Sequence, residues 1–201
     1  MYSANLIEYM GIAVMPSSTT PTADSKVQIR PASADDAQAL APLLFYTGPR
    51  IFHYLFFQDE TRVLGMLAKL SASRDNEFSH TQSMVAEVDG KICGVMHGMD
   101  AVTFKQLDAT TLRAIFRTIG FFPTLWRLPK LFMAQKLSPP MAADEYHIKQ
   151  IAVDPDYRSL GVGKSLIGAA VRIAGAGGLA KVMLDVEIAN ERGIRFYERE
   201  G

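Results

Sequence analysis

The chain has 201 residues with 21 basic and 21 acidic side chains, so no global field argues for nucleic acid or an acidic partner. Apolar residues make up 48% of it, enough for the core of one domain, yet no apolar run approaches the roughly 20 residues that span a bilayer. The single cysteine, Cys93, excludes an intramolecular disulfide and a cysteine-rich metal site, and His53, His80, His97 and His147 are scattered without metal-ligand spacing. The chain reads as cytoplasmic by default.

Residues 1–25 show no sustained period and are expected to form a flexible N-terminal extension. Leu6 to Met15 is mildly apolar, but no basic residue precedes it, which argues against a signal peptide. Order is expected to begin at a short strand, Lys26 to Arg30, closed by Pro31. Ser33 then fits a helix N-cap, with Asp35 and Asp36 in the first turn and Ala37, Leu40, Leu43 and Leu44 as the buried stripe. Arg50 to Leu70 reads as a second helical region. Its Phe52, His53, Phe56 and Phe57 suit helix packing better than the lining of a substrate pocket.

Met84 to Val88, Asp89-Gly90 and Lys91 to Met96 form the clearest hairpin, because Asp-Gly between two strand-like runs favours a two-residue turn. Cys93 lies in its second strand, where a buried, inert thiol is expected. Residues 100–143 carry two helical stripes, Leu112, Ile115, Phe116 and Ile119, then Leu125, Trp126, Leu128, Leu131 and Phe132. Lys105, Arg113, Arg117, Arg127, Lys130 and Lys136 have only Asp108 as a nearby acid.

Tyr146 to Ile173 carries the chemistry. A strand through Ile148, Ile151, Ala152 and Val153 stops at Asp154-Pro155-Asp156. Arg158-Ser-Leu-Gly-Val-Gly163 follows, then a helix with Leu166, Ile167, Ala170, Val171 and Ala174 on one stripe. Strand, glycine loop and helix can hold an anion, since the first helical N–H groups lack internal partners and the helix dipole adds positive charge. Gly163-Lys164-Ser165 imitates the end of a Walker A loop, but that loop needs a glycine at position 158, which is Arg158. After the helix, Gly175, Gly177 and Gly178 supply the stop. Lys181 to Val186 reads as a strand, and Asn190 caps a last helix from Glu191 to Glu200.

Arg-x-x-Gly-x-Gly at 158–163, directly after Ile-Ala-Val-Asp-Pro, resembles the acyl-CoA-binding motif of the GNAT N-acetyltransferases. A plain glycine turn is the remaining alternative for the loop. Asn-x-x-Gly-x-x-Phe-Tyr-Glu at 190–198 is similar to the family's second motif, with Gly193 where alanine is usual, and the hairpin at 84–96 matches the element ahead of the CoA-binding strand. The resemblance covers about 27–99 and 144–201. It implies an α/β fold, a mixed central sheet flanked by helices, with one acetyltransferase domain over 26–201 and a helical insertion at about 100–143. A lid over the acceptor pocket is preferred for that insertion to a dimer contact, and a dimer contact to a membrane-surface element.

The implied reaction moves an acetyl group from acetyl-CoA to an amine by direct attack. The pantetheine arm would pair with Ile151, Ala152 and Val153. The pyrophosphate would sit on Arg158, Ser159, Leu160, Gly161, Val162 and Gly163, with Lys164 adding charge and Asn190 touching the CoA arm. Tyr197 is the implied proton donor to the leaving thiolate. Counting along the strand, Glu145, His147 and Lys149 are expected to share the face of Ile151 and Val153. His147 is the first candidate for the general base, with a packing histidine as the alternative, and Glu145 is the reserve. No metal is implied. A non-catalytic acyl-CoA-binding domain is the second function class. Small amines, antibiotics, polyamines and protein amines all stay open as acceptors, as does a homodimer. In the family a final hairpin follows the tyrosine-bearing helix, so the chain is expected to lack C-terminal strands and to leave the edge of Lys181 to Val186 bare, at a cost in stability and solubility.

Overall fold

The structure, a computed structural model, describes residues 9–14, 27–57, 59–137, 140–188 and 190–200, and for 9–14 and 135–137 the backbone alone. The elements run β1 (Tyr9–Val14), β2 (Val27–Pro31), α1 (Ala37–Tyr46), α2 (Pro49–Leu55), α3 (Glu60–Ala72), β3 (Ser83–Val88), β4 (Lys91–Asp100), α4 (Ala101–Ile119) and α5 (Phe121–Leu137). They continue with β5 (Glu145–Val153), α6 (Val162–Ala176), β6 (Lys181–Glu187) and α7 (Glu191–Glu200). The strands form one mixed sheet in the order β1-β6-β5-β4-β3-β2, in which only β5 and β6 are parallel.

Local chemistry explains most boundaries. Asp89 and Gly90 both take positive φ, 51° and 75°, as a two-residue turn matched to strand twist requires. The Ser33 N–H donates to Asp36 Oδ2 at 2.7 Å, so Ser33 and Asp36 cap one another ahead of α1. The expected helical region at 50–70 is two helices. α2 starts at Pro49, and Asp59 caps α3 by accepting from the Arg62 N–H.

Helices cover both faces. Leu166, Ile167 and Ala170 of α6 pack on Tyr146, Ile148, Val182 and Leu184 of the sheet. On the opposite face Leu40 and Leu44 of α1 and Val63 and Leu67 of α3 meet Val85 and Val95. Each such fully buried aliphatic side chain is worth about 1.5–3 kcal/mol. Phe52 and Phe56 lie in this second core, the packing role expected of them. Cys93 is buried with its Sγ 3.4 Å from the Ala86 carbonyl, and burial pushes its thiol pKa up, which suits an inert thiol.

Two expectations are corrected. Residues 9–14, inside the stretch read as a flexible extension, form a strand, and that strand pairs antiparallel with β6 from Tyr9↔Glu187 to Val14↔Val182. The edge of β6 expected to stay bare is therefore covered. The second correction concerns β5. Its pairing with β4 steps from Gln150↔His97 to Ile148↔Gly98, so Lys149 is an extra residue, a β-bulge. The bulge reverses the alternation, and Tyr146, Ile148, Ile151 and Val153 all join the α6 core while Ala152 joins the other. Glu145 and His147 thus point away from the face of Ile151 and Val153, not along it.

Gly98 sits at that step. A Cβ there would lie 2.8 Å from the His147 carbonyl oxygen and 2.8 Å from Tyr146 Cε1. Gly98→Ala should destabilise the fold by about 1–3 kcal/mol through forced displacement of backbone. Gly65→Ala, in α3 with no atom within 4 Å of the new Cβ, should be neutral or stabilise by up to about 1 kcal/mol. Denaturant unfolding of both variants checks the contrast, and equal effects would show that the bulge tolerates a side chain.

Candidate active site

β5 and β6 leave the sheet as a wedge. Their parallel ladder covers only Glu145↔Lys181 to Ile148↔Leu184, whereas β5 runs on to Val153 and β6 to Glu187. Past the bulge, β5 keeps β4 on one side through Met96↔Ile151, Val95↔Ala152 and Gly94↔Val153. Its other edge faces the opening between the parted strands, where an extended ligand can pair as a strand would.

The glycine loop closes the end of this opening. Asp154 accepts from the Asp156 N–H at 3.0 Å and its own N–H donates to the Cys93 carbonyl at 2.8 Å, so the turn is tied to β4. Arg158, Ser159, Leu160 and Gly161 are exposed, and Ser159 and Gly161 take positive φ, 68° and 79°. Gly161 is the N-cap of α6 and brings no side-chain acceptor, and a Cβ there would meet nothing within 4 Å among the described residues. The amides of Val162, Gly163 and Lys164 therefore open α6 towards space that an anion can enter. Val162 is buried against the core, so it serves this loop through its backbone. The Lys164 ammonium lies 3.8 Å from Glu200 of α7.

Gly163 has a different task. Its Cβ would fall 2.9 Å from Cζ of Phe196, so the missing side chain is what lets α7 approach α6. The next residue, Tyr197, is packed against the α6 core, and burial raises its phenol pKa to about 12. Asn190 caps α7, its Oδ1 accepting from the Gly193 N–H at 2.9 Å. A Cβ at position 193 would lie 2.5 Å from Asn190 Nδ2, which accounts for glycine where alanine is usual.

On the opposite face of the sheet His147 is buried, with Nε2 3.2 Å from Asp185 Oδ2. A carboxylate only accepts, so this contact places the proton of the neutral imidazole on Nε2 and leaves Nδ1 as the basic atom. Glu145 is engaged elsewhere: Oε2 accepts from the Ala142 N–H at 3.1 Å, and Oε1 lies 3.9 Å from the Lys181 ammonium. Arg50 of α2 reaches Glu187 at 3.7 Å and brings α2 over the same face. The Lys149 ammonium sits 4.7 Å above the Phe104 ring, so the first turns of the insertion border the bulge.

Sequence reasoning missed two residues here. Asp185 had a signal, being an acid inside the apolar run whose Val182, Leu184 and Val186 point the other way. Gln150 had none. Its Oε1 is buried with no hydrogen-bond partner among the described residues, and it turns to this side only because of the bulge.

The acetyltransferase (GNAT) family model matches residues 38–201, which include the loop, the wedge and α7. The chain belongs to the GNAT acetyltransferase family. Among solved structures, an N-acetyltransferase from Staphylococcus aureus Mu50 is 19% identical with a TM-score of 0.65, covering 87% of this chain and 89% of that one. A structure described as an acetyltransferase gives 22% and 0.63 over 87% and 88%. An aminoglycoside N-acetyltransferase in complex with CoA gives 15% and 0.53 over 91% of each chain. These likenesses show a shared fold. Two curated relatives match over shorter stretches. A glucosamine 6-phosphate N-acetyltransferase of Trypanosoma brucei brucei is 42% identical over 55 residues, 27% of this chain and 35% of the relative. An uncharacterized protein of Mycobacterium leprae is 41% identical over 64 residues, 32% of this chain and 16% of the relative. The chain thus matches about a third or less of the length of either.

In this GNAT domain the glycine loop and α7 meet through Gly163 and Phe196. Gly163→Ala should cost about 1–3 kcal/mol by overpacking, and the additional change Phe196→Leu should recover part of it. Thermal unfolding of the two single variants and the double variant measures the coupling. Strict additivity would show that the two helices do not depend on this contact.

Proposed function

We propose that the chain transfers an acetyl group from acetyl-CoA to a primary amine by direct attack, with a small-molecule amine as the acceptor. The observation that carries this reading is the wedge between β5 and β6, with a His147–Asp185 pair on one face and Tyr197 beside the loop helix on the other. The pantetheine arm pairs with Ile151, Ala152 and Val153. The pyrophosphate lies on the amides of 158–163, with Arg158 and Lys164 as nearby cations, and Asn190 at the end of α7 bounds the arm.

An amine of ordinary pKa, about 10.4 for a lysine-like group, is protonated at neutral pH and cannot attack. His147 Nδ1, directly or through water, takes the proton, and Asp185 holds the ring and the charge that forms on it. The amine nitrogen bonds to the thioester carbon, the C–S bond breaks, and the electron pair leaves on sulfur. With a pKa near 12 the Tyr197 phenol is a weak acid that stays protonated throughout the working range. It donates a hydrogen bond to the sulfur as charge grows there, and the second proton, released by the nitrogen as it becomes an amide, ends on the thiolate, while the first passes from His147 to solvent. Oxyanion stabilisation falls to a strand amide near the bulge. Gln150, on the His147 side of β5 and with a buried Oε1, is the candidate to accept from the incoming amine.

Small amines are favoured by the matched stretch of the glucosamine 6-phosphate N-acetyltransferase and by the acids on this face, Asp185 and Glu187, which suit a cation. An acetyl-CoA-dependent thiol-release screen over hexosamines, polyamines and aminoglycosides should show free CoA with at least one amine. Binding of acetyl-CoA without release for any amine would assign the chain to the non-catalytic class.

Gly161→Asp puts a negative side chain at the cap of α6 and a non-glycine residue at φ 79°. Acetyl-CoA affinity measured by calorimetry should fall more than tenfold, about 1.4 kcal/mol or more. An unchanged Kd in a folded variant removes the loop from the site. His147→Ala and Asp185→Asn should instead lower kcat by about 10²-fold or more while leaving that Kd within a few-fold. Wild-type turnover in both would move the base elsewhere.

A further inference from the structure

We propose that the outward face of α5 docks this protein onto an anionic lipid surface. A helix packed on a domain ordinarily turns its apolar stripe inward, whereas α5 packs Leu131 on the α1–α3 core and turns most of its large apolar side chains out. Inward it sends Thr124, fully buried, and Arg127, whose Nε donates to the Phe56 carbonyl at 2.6 Å and whose guanidinium lies 4.6 Å over the Phe57 ring. Outward it presents Phe122, Leu125, Trp126 and Met133, spaced so that they share one face, with Trp126 87% and Phe122 80% exposed. Pro129 lies on the same face and is also exposed. Beside this face an open apolar groove between α4 and α5 is lined by Leu112, Phe116 and Phe121 together with Arg113.

Charge selects the occupant. Residues 101–137 hold six basic side chains and one acid, in a chain whose totals are equal, so the remainder holds 15 basic and 20 acidic residues. No acid at all occurs on α5. Arg113 and Arg117 are exposed one turn apart on α4, and the Phe116–Phe121 ring contact, 5.5 Å between centroids, ties that helix to the start of α5. Exposed aromatic and aliphatic side chains beside an excess of cations match the interface of an anionic bilayer, where apolar groups enter the acyl boundary and basic groups meet headgroups. A second copy fits less well, because an isologous contact would set this basic surface against itself. No described helix is long and apolar enough to cross a membrane, and docking of this kind needs none.

The test exploits Trp126, the only tryptophan in the chain. With vesicles of equal parts phosphatidylcholine and phosphatidylglycerol, its emission should move to shorter wavelength and the protein should co-sediment. Phosphatidylcholine alone should bind at least about tenfold more weakly, and added salt should weaken the mixed-vesicle binding. Arg113→Glu with Arg117→Glu should lower partitioning about tenfold or more. Phe122→Ser with Leu125→Ser, which keeps the reporter, should do the same. Thermal unfolding confirms that both variants are folded. Identical emission and sedimentation with and without vesicles overturns the proposal. So does a concentration-dependent shift with dimerisation in the absence of lipid, which assigns the face to a second copy. An equal shift with a soluble acidic polypeptide overturns it too, in favour of a protein partner.

Discussion

One extra residue in β5 governs the layout of this domain. Lys149 interrupts the ladder with β4, and the reversal it imposes lets the strand use both faces in turn. Before the bulge, Tyr146 and Ile148 anchor β5 in the α6 core and turn His147 to the other side. After it, Ile151 and Val153 return to the α6 core at positions a regular strand would have directed away. A regular strand would also have had no reason to part from β6 after Ile148↔Leu184. Bulges sharpen local twist, and the added twist turns β5 away from β6 while Ile151, Val153, Leu184 and Val186 all stay in the α6 core. The opening is thus produced by packing on both sides of the sheet rather than by any residue inside it.

Much of this order was legible in the sequence because it is written in short-range chemistry. Asp89-Gly90 has a single good backbone solution between two strands, and the structure adopts it. The loop at 158–163 announced itself through glycines placed between an apolar run and an amphipathic one. Asn190 was readable as a cap. What failed to be legible depends on pairing between distant segments. The alternation of 145–153 looks unbroken in one dimension, and only the partner strand reveals which residue is surplus. The pairing of residues 9–14 with β6 is equally non-local, since nothing near those residues names their partner. Asp185 was visible as an acid in an apolar strand, but its value comes from His147, 38 positions earlier.

The insertion follows a separate logic from the domain that carries it. Ile115, Ile119 and Leu131 pack it on the α1–α3 core, and cations add specific contacts: Arg127 on the Phe56 carbonyl, Lys130 on the Tyr54 carbonyl at 3.1 Å, and Lys149 of β5 over Phe104. Those contacts use the cations as clamps to main-chain oxygen and ring faces, where a carboxylate partner would be more usual. A helix held this way can keep its apolar residues for the outside. The two arginines on α4 and the stripe on α5 belong to different helices, joined by the tight turn at Gly120, with φ 91°, and Arg113 shares a groove with Phe121 at the start of α5.

The position of β1 has a consequence for how the chain reaches this state. Residues 9–14 are made first, but their partner is 182–187. During synthesis the first strand must wait unpaired while nearly all of the rest of the domain emerges. The β3–β4 hairpin can assemble locally, β2 joins it across the three helices α1, α2 and α3, and β5 can pair with β4 once α4 and α5 have been made. Closing the ring of contacts between the two distant segments is the slowest kind of pairing, because loop-closure entropy is met before any contact rewards it. The sheet is therefore completed from its middle outwards, and its first-made strand is the last to be added.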